Sequence, residues 1–205
     1  MPRRPALVLV ALLAFTPATP SHAAAPKPQV TDPTGDAVGA QPGTDLVSVL
    51  YSTTGTGTGR KYVPKKLLVT MTMAGDVVTA PGVTYEIQAE TAPCGTVTFT
   101  AEQGSPYSAV TGLDGWANWG SCTIADSNGA PTNIELLTVE VSGKTIQWKF
   151  SLKLIPKELK VGTAFTDFEA RVDPSNPVLP FPSDQTGTAL GLIDKATAPG
   201  PWKLR

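Results

Sequence analysis

The sequence predicts an all-β chain: a two-sheet antiparallel sandwich with jelly-roll connections and one disulfide. Apolar residues recur at alternate positions in six short runs, turn signals stand between them, and no stretch of about 12 residues carries a helical apolar period. An alternating run sends every second side chain toward a core. Several such runs separated by turns must therefore stack face to face.

The chain opens with Arg3 and Arg4, a ten-residue apolar run from Ala6 to Phe15, and a Pro/Thr-rich stretch ending in Ser21-His22-Ala23. That order reads as an export signal over residues 1–23, cleaved after Ala23. Spanning a bilayer takes roughly 18 or more apolar residues, so membrane insertion is not expected. The expected product is secreted and soluble, with 182 residues after cleavage. A disordered, Pro-rich lead covers 24–29, and a single β-sandwich domain covers 30–205.

Thr44-Asp45-Leu46-Val47 leads into the first strand. Leu67, Val69, Met71 and Met73 then form one apolar face, and Val83, Tyr85, Ile87 and Ala89 form the next. Val97 and Phe99, then Leu137, Val139 and Val141, then Ile146, Trp148 and Phe150, and finally Ala164, Thr166, Phe168 and Ala170 continue the series. Ala74-Gly75-Asp76, Pro81-Gly82, Asp114-Gly115, Asn128-Gly129 and Ser142-Gly143 mark turns, the last within a hairpin. Residues 53–60, with Gly55, Gly57 and Gly59, read as a hairpin tip, since they lack the GK[ST] ending of a phosphate loop. Residues 174–183 carry four prolines, which cannot donate a regular ladder of hydrogen bonds.

Cys94 and Cys122 are the only cysteines, and in an exported chain they pair. After cleavage 14 basic and 17 acidic residues remain, a formal charge of −3, with neither sign gathered into a long run. Nucleic acid and anionic membrane are not expected partners, because both require a basic patch. His22 is the only histidine and falls in the export signal. Catalytic triads, zinc sites and histidine-ligated haem are therefore not expected. Glycoside hydrolysis needs only two carboxylates about 5 to 9 Å apart, and Glu86, Glu90, Glu102, Glu135 and Glu140 are the candidates. Glu86, Glu135 and Glu140 stand at polar strand positions, where a solvated carboxylate is ordinary.

The opening Thr31-Asp32-Pro33-Thr34-Gly35-Asp36, followed by Asp45, brings carboxylates to one strand entrance. Such hard oxygen ligands suit calcium, although the spacing is not that of an EF-hand. The alternative is that Asp32 and Asp36 cap turns.

The DPTGD opening, PGTDLVSV, KLLVTMTMAG, GKTIQWKFSLKLIP with VGTAFTDFEA, and the closing GLIDKAT resemble the secreted DOMON-like group. That group includes the family 9 carbohydrate-binding modules. The resemblance covers the two ends of the mature chain and leaves Cys94 to Asn133 outside it. It implies a jelly-roll sandwich, sugar or haem ligands, and one structural calcium beside paired aspartates. Matched residue by residue, Asp32, Asp36 and Asp45 belong to the acidic opening, and Asp194 to a closing strand beside the first. The haem branch needs histidine and methionine ligands, and the mature chain has no histidine.

The function expected is a non-catalytic binding module for extracellular polysaccharide, with Trp116 and Trp119 as an aromatic platform ahead of Cys122. The competing reading has these tryptophans plug one end of the sandwich. A second class of function is an envelope or matrix protein that acts through protein contacts, and a carboxylate-pair glycosidase ranks below both. Trp148 is expected in the core, and Trp202 packed at the C-terminal strand.

Overall fold

The structure is a computed structural model and describes residues 26–37, 42–79, 83–103, 113–174 and 194–205. The expected export signal with His22, the turn expected at Pro81-Gly82 and the proline-rich stretch beyond Pro174 lie outside these residues. In chain order the strands are β1 (Val30–Thr31), β2 (Leu46–Thr56), β3 (Val63–Met73), β4 (Val83–Thr91), β5 (Gly95–Glu102) and β6 (Asp114–Asn118). They continue with β7 (Ile124–Ala125), β8 (Pro131–Thr132), β9 (Ile134–Ser142), β10 (Thr145–Ser151), β11 (Ala164–Pro174), β12 (Asp194–Ala198) and β13 (Trp202–Lys203).

Neighbours pair in the order β1-β2-β3-β10-β9-β6-β5-β4-β11-β12, with β13 beside the start of β11 and β7 paired to β8 alone. Every pairing is antiparallel. β9 links the two layers. Its first half pairs with β6, Ile134 opposite Asn118 and Thr138 opposite Asp114, while its second half pairs with β10, Val139 opposite Trp148. A strand that changes sheets in mid-course makes the corner of a sandwich. β1, β2, β3 and β10 thus face β6, β5, β4, β11 and β12. This order establishes the antiparallel sandwich without establishing jelly-roll connections.

The apolar faces of β3, β4 and β10 are buried as their alternation requires. Aromatic rings fill the space between the sheets. Phe99 of β5 lies 5.1 Å from Phe150 of β10 and 6.1 Å from Tyr51 of β2, centre to centre. Trp148 is fully buried, and its indole N–H donates to the Thr100 carbonyl at 2.9 Å, so burial leaves no unpaired donor. Trp202 packs against Tyr51 and Phe165, 5.6 Å from each. Cys94 and Cys122 form the disulfide, joining the β4–β5 turn to the segment that follows β6.

Four sequence expectations need correction. Asp114-Gly115 is no turn but the start of β6. The glycine is there for close packing, since a Cβ at Gly115 would stand 2.0 Å from the Val139 side chain. In β11 the inward residues are Phe165, Phe168, Ala170 and Val172, so Ala164 and Thr166 do not share a face with Phe168. A bulge between Thr166 and Glu169, where Asp167 takes φ 49°, shifts the alternation by one residue. β2 runs on to Thr56, so the hairpin tip is shorter than 53–60. Gln29 is not part of a free lead: its N–H donates to Val49 at 2.8 Å, and its side-chain carbonyl accepts the Tyr51 N–H.

Candidate metal centre

Four aspartates meet where the first strands and the closing strand come together. Asp32 follows β1, and its N–H donates to the Val47 carbonyl at 2.9 Å. Gly35 takes φ 91°, which a side chain would disfavour, and so turns the chain to present Asp36. Asp45 precedes β2, and its Oδ2 accepts the Gly35 N–H at 2.7 Å. Asp194 opens β12. Its Oδ2 accepts the Leu46 N–H at 2.5 Å, and its Oδ1 accepts the Lys195 N–H at 2.8 Å. The turn before Asp45 is held from the opposite sheet by Tyr85, whose hydroxyl donates to the Gly43 carbonyl at 2.9 Å. Tyr85 is a supporting residue that sequence reading assigned only to the core; nothing in its alternating run marks the hydroxyl's role.

One carboxylate oxygen from each of Asp32, Asp36 and Asp194 lies within 4.8 Å of the others. Oxygens bound to a single calcium at about 2.4 Å stand at most about 4.8 Å apart, so this spacing fits one ion. Asp45 and Asp194 are only 5% and 6% exposed. Asp32 Oδ2 and Asp45 Oδ1 are buried without a hydrogen-bond partner, a state that costs free energy unless a cation or proton satisfies it. Among the described residues no lysine or arginine nitrogen comes within 4.0 Å of any of the four carboxylates. The donor set therefore fits a hard divalent cation, with Asp32, Asp36 and Asp194 as ligands and Asp45 beside them.

The electrostatics agree with that geometry. Burial, then the neighbouring charges of Asp194 and Asp36, push the Asp32 carboxyl up from 3.8 to about 6. Burial likewise raises Asp194, against the lowering effect of the two N–H groups it accepts. In metal-free protein these groups hold protons more tightly folded than unfolded. Their contribution to stability is present at low pH and is lost as pH rises from about 4 to about 6. We expect chelated protein to melt higher at pH 5 than at pH 7, and Asp32→Asn to flatten that difference. A wild-type melting temperature with the same pH dependence as Asp32→Asn would contradict the raised carboxyl.

The structure separates the two tryptophans proposed as a platform. Trp119 is fully buried, 5.2 Å from Phe150 and 5.8 Å from Phe99, so neither ring face is open to a ligand. It lies one alternation beyond Ala117 on the inward side of β6, and that parity is why it points inward. Trp116 points the other way and is half-buried, opposite Leu136 of β9. Glu135 also departs from expectation. It faces inward opposite Ala117, and its carboxylate accepts the Trp119 indole N–H at 3.1 Å. Burial raises its carboxyl, a shift that the indole bond partly opposes.

The other glutamates each have their own partner. Glu86 binds Arg171 at 2.7 Å, Glu140 binds Lys149 at 2.6 Å, Glu102 accepts the Thr84 hydroxyl at 3.1 Å, and Glu90 accepts that of Thr96. No protein-family model, curated protein or solved structure matches this chain.

Proposed function

We propose that this chain is an exported, non-catalytic binding module whose opening and closing strands are clasped by one calcium ion. The observation that carries the reading is the convergence of Asp32, Asp36 and Asp194, from opposite ends of the chain, beside an unpartnered and buried oxygen of Asp45. The resemblance to DOMON-like domains supports the same reading. An ion at this place supplies the positive charge that the fold does not provide, and its work is to hold strands together. The absence of histidine from the chain after the export signal favours binding over catalysis.

An ion that binds only the folded state stabilises by about 2.7 kcal/mol at a hundredfold excess over its dissociation constant. For a domain of this size that raises the melting temperature by roughly 5 to 10 °C. Calcium added to chelated protein should produce this rise at pH 7, with a smaller rise at pH 5 where protons compete. Asp36→Ala should abolish it, and because Asp36 is exposed the variant keeps its fold. An unchanged melting curve on adding calcium would leave the aspartates as turn caps.

The partner of the module is an extracellular polysaccharide in the first reading, with Trp116 as the aromatic contact. Exposure of Leu136 (57%) and Ile134 (38%) on the same outward face as Trp116 favours the second reading, an envelope or matrix protein. A glycan array with wild type and Trp116→Ala distinguishes them. Retention by wild type and loss in the variant support sugar, and no retention by wild type removes it.

A further inference from the structure

Basic residues scattered through the sequence are gathered at the end of the sandwich opposite the aspartates. The β2–β3 hairpin carries Arg60 and Lys61 at its tip and Lys65 and Lys66 on the start of β3, all exposed. The loop between β10 and β11 carries Lys153, Lys157 and Lys160, and Lys203 and Arg205 stand on and after β13, again all exposed. These segments are neighbours in space. The Leu152 N–H donates to the Lys65 carbonyl at 2.9 Å, and Gly162 and Leu204 join the loop to the β13 segment through N–H donors at 2.6 and 2.9 Å. Residues 56–66, 151–163 and 202–205 thus hold nine of the fourteen basic residues described and a single acidic one, Glu158. Nearby Glu90, Asp126, Glu135 and Asp167 accept hydrogen bonds from within the fold, and among the described residues none lies within 4.0 Å of any of the nine cations.

The same end exposes aliphatic side chains. Leu154 and Val161 are each 63% exposed and Val63 is 49% exposed, whereas Ile155 and Leu159 of the same loop are buried and anchor it. A single exposed leucine is ordinary on a protein surface. Aliphatic tips on an anchored loop, set in a rim of unpaired lysines, have the chemistry of an interfacial contact, in which cations meet lipid phosphates and apolar groups enter the headgroup boundary.

We propose that this end of the sandwich docks on the surface of an anionic lipid bilayer, with Leu154 and Val161 entering the interface and the surrounding lysines and arginines meeting the headgroups. The inference is independent of the calcium clasp at the other end. It replaces the expectation that no anionic membrane is a partner, which rested on the absence of a basic run in the sequence.

The test is co-sedimentation of the exported chain with vesicles of phosphatidylglycerol and phosphatidylcholine, against phosphatidylcholine alone, in one buffer and at two salt concentrations. Binding should require the anionic lipid and weaken with salt. Each lysine near such a surface contributes roughly a fivefold factor, so Lys153→Gln, Lys157→Gln and Lys160→Gln together should cut binding by about a hundredfold. Leu154→Ser with Val161→Ser should cut it by about fivefold or more at physiological salt, with the melting temperature of both variants unchanged because every substituted side chain is exposed. No sedimentation with anionic vesicles at low salt overturns the proposal, as does wild-type binding by the triple variant. If the serine variant binds vesicles as wild type does while soluble polyphosphate competes fully, the basic end serves a dissolved polyanion instead of a bilayer.

Discussion

Trp119→Ala should lower the melting temperature by roughly 6 to 20 °C. Truncating a fully buried tryptophan costs about 3 to 5 kcal/mol, through lost transfer energy and through the cavity left where neighbours cannot collapse. In a domain of this size each kcal/mol moves the transition by about 2 to 4 °C. Collapse is hindered here because Phe99 and Phe150, which contact the indole edge-on, are themselves fixed by other rings and by both sheets. The substitution also strips Glu135 of the N–H it accepts, leaving an inward-facing carboxylate without its donor. Trp119→Phe separates the two effects. It refills most of the cavity yet still removes the donor, so it should lose less stability and regain part of the loss as acid protonates Glu135. A cost below about 1 kcal/mol for Trp119→Ala, measured by denaturant unfolding, would contradict its place in the core.

Replacing both Cys94 and Cys122 by alanine should cost about 3 to 4 kcal/mol, or roughly 6 to 16 °C in melting temperature. The bridge spans a separation of 28 residues, and cross-linking a loop of that length removes much of the unfolded chain's freedom. The fold should survive the loss, because the Ser121 N–H and hydroxyl both donate to the Cys94 carbonyl and keep the two segments together. If the proposed clasp forms, calcium should still raise the melting temperature of the disulfide-free variant by the wild-type increment, since the aspartates and the bridge lie at opposite ends of the sandwich. A calcium response lost together with the bridge would show that the two are coupled.

What was legible in the sequence divides according to how local its cause is. The faces of β3, β4 and β10 follow from alternation alone, and the structure buries them as read. β6 was hidden because Asp114-Gly115 has the composition of a turn, and the reason for its glycine is the Val139 side chain across the sheet. The inward face of β11 was misread because one residue, Asp167, inserts a bulge that no composition rule marks. The four aspartates were named from the acidic opening and the resemblance. Their convergence is a long-range fact, carried by the bond from Leu46 to Asp194 across 148 residues of chain. The basic end was invisible for the same reason: three separated segments supply it, and none of them alone is a charge run.

The strand order has a consequence for association between copies. Among the described residues the long path of paired strands begins at β1 and ends at β12, and these two termini run close together without pairing. Each is an edge of the described sheet, and an edge strand is where a strand from another molecule can pair, a hazard that native sheets usually cover. Here each shields the other, and the aspartates sit at that seam. Weakening the proposed calcium clasp should uncover both strand edges at once. Edge-to-edge pairing between copies is the association that an opened seam would then invite.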